Sequence, residues 1–231
     1  MRTRARPYCV LNVAVSLDGK IATYRREKFQ FPSRRDRDRM DRLRAEADAI
    51  LIGGTSLRVD DPPLFVRDPR RIRARVRRGL PPQPLGIVAS RSLDLLSGSR
   101  FFREDPGRRI VVTVRRSPAT RRRRLERLAE VWIAGERDLS PERLLLRLRR
   151  RGVRRLLLES GGALNHAFLA AGLIDEVYLT VCPLVISGST APTPFDGPGL
   201  VASATRPARL LSARRVGQEL FLHYRLLPSR R

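Results

Sequence analysis

The 231-residue chain reads as an α/β protein, a mixed and mainly parallel sheet with helices on both faces and an antiparallel hairpin at its C-terminus. Three observations predict this class. Short, continuous runs of Val, Ile and Leu recur along the chain, the pattern of strands covered on both faces. Segments with apolar residues at helical spacing lie between those runs. The last two runs flank Gly217-Gln218, which reads as a turn joining antiparallel strands. No internal repeat or separating linker interrupts the alternation, so residues 1–231 read as one domain.

The elements follow in order. Strands are predicted at Tyr8–Val15, Ala49–Gly53, Leu85–Ala89, Ile110–Val114, Val131–Ala134, Leu156–Glu159, Val177–Ile186, Ala208–Val216 and Glu219–Leu227. A helix starts after Ser33, an N-cap residue, with Met40, Leu43 and Ala47 on one face while Arg34, Asp36 and Asp38 stay polar. Pro141 opens a second helix with a stripe of Leu144, Leu145 and Leu148. A third begins after Gly162, carries Leu164 and Phe168, and stops at Gly172. Two segments read as long surface loops, Arg67–Pro84 and Ser187–Leu200.

Composition sets limits on partners. The formal net charge is +25, which attracts polyanions and keeps a nucleic-acid-binding protein among the alternatives. Lysine occurs only at Lys20 and Lys28, however, and the other 46 of the 48 basic residues are arginines spread over the whole chain. Arginine-dense segments such as Arg70–Arg78 and Arg121–Arg124 contain no aromatic residue for base stacking, so no specific nucleic-acid partner is expected. No apolar run approaches the roughly 20 residues that span a bilayer, and the arginine-rich stub before Tyr8 is no signal sequence, so the reading is cytoplasmic with no membrane partner. Cys9 and Cys182 sit in apolar strand patterns and read as buried thiols; without a CxxC pair no metal site is expected.

Two strands end in glycine turns that lead into helices, Gly53-Gly54-Thr55-Ser56 and Ser160-Gly161-Gly162. Glycine lets a ligand approach the backbone, and free N–H groups at a helix start attract phosphate. Two such turns suit the two ends of a dinucleotide, although neither matches GxGxxG. Ser90-Arg91-Ser92 after a third strand offers a guanidinium between hydroxyls, suited to the 2′-phosphate of NADPH. Glu159 ends a buried strand, an unusual place for an acid without a role.

Three stretches carry a resemblance. Asn12–Lys20 (NVAVSLDGK), Arg39–Pro62 (RMDRLRAEADAILIGGTSLRVDDP) and Leu156–Gly188 (LLLESGGALNHAFLAAGLIDEVYLTVCPLVISG) resemble, in order and spacing, the reductase domain of the bifunctional deaminase-reductase family of riboflavin biosynthesis, whose fold is dihydrofolate-reductase-like. The resemblance implies a reductase using NADPH, with NADH as an alternative, on a phosphorylated ribosylamino-pyrimidine, by hydride transfer to C1′ of the opened ribose. It assigns Val15, Gly53, Thr55, Ser56, Asp60, Ser160, Gly161, Gly162, Ala163 and Leu164 to the cofactor, beside the Ser90 and Arg91 read above from the residues themselves, and Ser33, Arg44, Leu64 and Arg67 to the substrate. Asp18, Lys20 and Glu159 become candidates for orienting the sugar or moving a proton. The chain departs from the family pattern at Gly53-Gly54-Thr55-Ser56, which leaves Thr55 and Ser56 both open as the contacting hydroxyl, and at Ser160, where a glycine is usual. The resemblance further implies a homodimer. The deaminase half needs H-x-E and P-C-x-x-C ligands that this chain lacks, so a stand-alone reductase is expected. The other enzyme reading is a dihydrofolate-reductase-like oxidoreductase with a different substrate.

Overall fold

Apart from the C-terminal hairpin, the apolar runs that predict strands are largely withdrawn from water. The computed structural model describes residues 5–27, 29, 31–104 and 106–228, and the arginine-rich start at residues 1–4 lies outside them. The chain packs as two compact units, one built mainly from Met40–Leu157 and the other from Tyr8–Arg39 with residues 158–228.

In the first unit, β2 (Ala49–Gly53), β3 (Leu85–Ala89), β4 (Arg109–Thr113) and β5 (Glu130–Ile133) run parallel in the order β5-β4-β3-β2, and β6 (Arg155–Leu158) lies beside β2. Ile50, Leu51, Ile52, Ile87, Val88, Val111 and Val112 are 0% exposed, which is why these strands read as unbroken apolar runs. The helices of this unit are α2 (Gly54–Asp60), α3 (Pro69–Arg77), α4 (Arg100–Arg103), α5 (Ala119–Leu125) and α6 (Pro141–Arg150). In α6 the Leu144, Leu145 and Leu148 stripe is buried as expected, and Ser140 caps the helix by accepting the Arg143 N–H.

In the second unit, β1 (Tyr8–Val15) pairs parallel with β7 (Glu176–Val181) from Val10↔Glu176 to Val15↔Val181. Antiparallel β9 (Glu219–Leu226) follows β7, and antiparallel β8 (Ala208–Val216) forms the edge. Gly217 has φ of +66°, which the connecting turn requires and glycine adopts without strain. Helix α7 (Gly162–Ala170) stops before Gly172, at φ of +67°. Helix α1 (Arg34–Glu46) begins in this unit and ends in the other. The fold class is thus the predicted one: α/β, mostly parallel, with a C-terminal antiparallel hairpin.

Two expectations need correction. Arg67–Pro84 is not a long loop but contains α3: Asp68 caps it by accepting the Arg70 N–H, and Pro69 fits the first helical position, where no N–H is needed. Its arginines suggested surface, yet Arg75 is 1% exposed and donates to the carbonyls of Ala45 and Ala47 at the end of α1. The strand expected to reach Ile186 ends at Val181, because Pro183 has no N–H to extend a ladder. Within α1, the polar Asp36 is only 6% exposed.

Replacing Arg75 by Leu leaves the Ala45 and Ala47 carbonyls without their donor. The expected loss of stability is about 3 kcal/mol, read as a lower urea midpoint; an unshifted midpoint would refute the role.

Candidate functional site

In the first unit the turn after β2 separates two glycine roles. A Cβ placed on Gly54 would lie 2.9 Å from the Ser90 Cβ, so packing demands glycine there. A Cβ on Gly53 would meet nothing within 4 Å. Its backbone faces open space, and α2 starts without a side-chain cap. Thr55 is exposed and accepts from Arg58 at 3.2 Å, while Ser56 is half-buried. Asp60 is exposed at the end of α2, whereas Asp61, at φ of +44°, accepts the Arg100 N–H at 2.9 Å and so has a structural task.

The turn after β3 belongs to the same unit. Ser90 Oγ accepts the Leu93 N–H at 3.0 Å and Ser92 Oγ accepts the Asp94 N–H at 3.2 Å, fixing a tight turn around exposed Arg91. The Arg91 guanidinium pairs with Asp138 at 2.7 Å, with both side chains over 70% exposed. Water screens such a pair, so it leaves Arg91 able to exchange partners. Elsewhere in this unit, Arg44 is 2% exposed and donates to the carbonyls of Pro63 (2.8 Å) and Phe65 (3.2 Å). It therefore shapes the segment that buries Leu64 and presents the exposed Arg67, whose own N–H is held by Asp41 at 2.7 Å.

In the second unit the turn after β1 is closed by its own motif. Ser16 N donates to the Lys20 carbonyl, Lys20 N donates to Ser16 Oγ, and Ser16 Oγ donates to Asp18 at 2.6 Å. Gly19 sits at φ of +78°, which accounts for the glycine of the motif. Val15, at the end of β1, is 5% exposed. Asp18 also accepts the N–H groups of Ile186 (3.0 Å) and Ser187 (2.7 Å), so it anchors the 186–187 turn. These bonds, the Ser16 hydroxyl first, hold its carboxyl down at about 2. Lys20 Nζ donates to the Ala191 carbonyl at 3.2 Å, which uses one of its three protons.

The turn after β6 repeats the division of labour seen in the first unit. Gly161 faces open space within 4 Å, whereas a Cβ on Gly162 would lie 2.4 Å from the Thr193 carbonyl and 2.5 Å from an Asp196 oxygen. Ser160 turns its hydroxyl to Asn165 Oδ1 at 2.5 Å, and Asn165 donates back to the Ser160 carbonyl. The extra side chain is thereby directed into the fold. Ala163 is exposed, and Leu164 and Glu159 are half-buried, Glu159 lying just past the end of β6.

A buried polar cluster that sequence reasoning missed lies over the β7 and β9 strands. Arg39 donates to Asp36 at 3.2 Å and to the Thr180 hydroxyl, which in turn donates to Asp36. Arg39 also stacks 4.4 Å from the centre of the Phe221 ring. Burial raises the Asp36 carboxyl above its ordinary range, against the pull of Thr180 and Arg39, with Glu219 and Glu159 adding to the rise. Ser33 gives both its N–H (2.8 Å) and its O–H (2.5 Å) to Glu219, which is 4% exposed. No spacing rule marks Glu219; only the register of β9 brings it to the start of α1. Among the described residues no group of His, Cys, Asp and Glu is arranged to hold a metal, and no helix is long and apolar enough to cross a membrane.

Because the folded Asp18 carboxyl lies below its unfolded value of ~3.9, its contribution to stability is full above that pH and is lost as pH falls towards about 2. The Ser187 amide resonance is therefore expected to titrate near that lower value and to become flat in Asp18→Asn; a midpoint in the ordinary carboxylate range would contradict the anchoring role.

The family of the RibD C-terminal domain matches residues 7–222. The chain is 35% identical over 213 residues to the 2,5-diamino-6-ribosylamino-4(3H)-pyrimidinone 5′-phosphate reductase of Archaeoglobus fulgidus, covering 92% of this chain and 95% of that protein. It is 34% identical over 221 residues to the protein of the same description from Methanothermobacter thermautotrophicus, covering 95% and 98%. Among solved structures, a pyrimidine reductase-like protein from Corynebacterium diphtheriae shares the fold with a TM-score of 0.83 at 20% identity, over 96% of this chain and 92% of that one. A match over residues 7–222, nearly the whole length, makes this chain a member of the RibD C-terminal domain family.

Proposed function

We propose that the protein is a cytoplasmic, NADPH-dependent reductase of riboflavin biosynthesis that converts a 5-phosphoribosylamino-pyrimidine to its ribitylamino product. The observation that carries this reading is the near full-length likeness to two pyrimidinone phosphate reductases. The open backbone at Gly53 and at Gly161 supports it, because a side chain at either position would occupy space a dinucleotide needs.

In the first unit we assign Gly53, Thr55, Ser56, Asp60, Ser90 and Arg91 to the cofactor, with Arg91 meeting the 2′-phosphate that separates NADPH from NADH. In the second unit Val15 and residues 160–164 take the same role, the uncapped start of α7 at Gly161 offering backbone N–H groups to a phosphate. Arg67 supplies charge for the substrate phosphate, and Arg44 and Leu64 set the segment that carries it. Ser33 contacts the substrate.

NADPH held by these residues would supply a hydride for C1′ of the opened sugar, and the adjoining nitrogen would need a proton from the protein. Lys20 has two protons to spare for the sugar or that nitrogen, and Glu159 stands at the turn after β6 to orient a hydroxyl. Asp18, with both oxygens engaged, keeps the Lys20 turn in place. We further propose that residues 1–231 act as one domain and assemble as a homodimer through the apolar C-terminal strands, where Leu210 is 50% and Leu211 36% exposed; sedimentation velocity at assay concentration tests the assembly.

Incubation with NADPH and either the diamino-pyrimidinone or the amino-uracil ribosylamine phosphate is expected to consume cofactor, and incubation with dihydrofolate is not. Consumption with dihydrofolate alone would overturn the substrate assignment. Lys20→Ala should lower kcat roughly a hundredfold. Arg91→Ala should raise KM for NADPH about tenfold and leave KM for NADH unchanged; equal effects on both would remove Arg91 from the 2′-phosphate.

A further inference from the structure

The hydrogen bonds around Ser33 leave its hydroxyl with a single capacity. A serine hydroxyl has one proton and two lone pairs. The proton goes to Glu219 Oε2 at 2.5 Å, and a carboxylate can only accept. One lone pair accepts the Asp36 N–H at 3.2 Å, the capping bond of α1. What remains is one lone pair on a half-buried residue.

Glu219 accepts hydrogen bonds on both of its oxygens. Its other oxygen accepts the Ser33 N–H at 2.8 Å and the Cys182 thiol at 3.6 Å. Burial, with Glu219 close by, pushes the Cys182 thiol up to about 12, so it stays protonated and remains a donor. Every neighbour of the carboxylate named here donates to it, and none offers Ser33 an alternative acceptor.

We infer that Glu219 is a positioning residue that fixes the hydrogen-bond polarity of Ser33, so that Ser33 reads a donor N–H or O–H of the substrate and cannot serve its phosphate. This rests on the substrate role given to Ser33 in the proposed function, and it deepens that role by naming the substrate chemistry the hydroxyl recognises. A free serine would suit a phosphate oxygen by donating its proton. Here the proton is already committed inside the fold.

Glutamine at position 219 keeps the size but can donate, and so lets the Ser33 proton turn outward. Glu219→Gln is expected to raise KM for the pyrimidine substrate roughly tenfold while leaving KM for NADPH unchanged. In a Ser33→Ala background the same substitution should add nothing, because its effect passes through Ser33. Additive effects, or an equal rise for NADPH, would overturn the inference. A measurement on the unaltered protein covers the case in which Glu219→Gln does not fold: the slowly exchanging Ser33 hydroxyl proton should be visible by NMR and stay bonded to Glu219 when the diamino-pyrimidinone ribosylamine phosphate is added without cofactor. Its transfer to the ligand would refute the assigned polarity. If the hydroxyl signal is present but neither pyrimidine is reduced, the proposed reaction has failed and this inference falls with it.

Discussion

A charged side chain withdrawn from water has to find its partners inside the protein, and α1 carries four such groups: Asp36, Arg39, Asp41 and Arg44 are each at most 7% exposed. Much of the local order follows from how they are satisfied. Asp36 and Arg39 close on Thr180 in the second unit; Asp41 and Arg44 take the backbone of residues 63–68 in the first. Removing one member of such a group strands another without compensation.

The two glycine turns show a shared solution to one physical problem. In the cofactor role we propose for these turns, a ligand phosphate needs exposed backbone N–H groups, yet the turn that exposes them must itself be packed. In both turns one glycine faces space and its successor meets the fold, against Ser90 in one unit and against Thr193 and Asp196 in the other. The side chain of Ser160 is accommodated because Asn165 draws its hydroxyl inward. This is why a departure from the family's glycine leaves the open side of the turn intact.

Most of the strands, and helices α1, α6 and α7, were legible in the sequence, because burial on both faces writes an unbroken apolar run and the hairpin writes alternation. The helix α3 was not, since its buried Arg75 looks like any of the surface arginines around it. The candidate site divides the same way. The turn at residues 16–20 and each of the two glycine turns are built from residues adjacent in the chain, so local spacing reveals them. Glu219 meets Ser33 only through strand register, a relation that no local pattern encodes, and Asp36 and Arg39 stand at positions that helical spacing marks as polar.

The placement of a few optical and chemical handles has a practical side. Trp132, the single tryptophan, is 1% exposed in the first unit with Arg147 stacked 4.0 Å above its ring. Both thiols, Cys9 and Cys182, are free, buried and confined to the second unit. Indole fluorescence therefore watches one half of the molecule, and the rate at which an alkylating reagent reaches sulfur watches the other, so each half reports its own loosening without an added label.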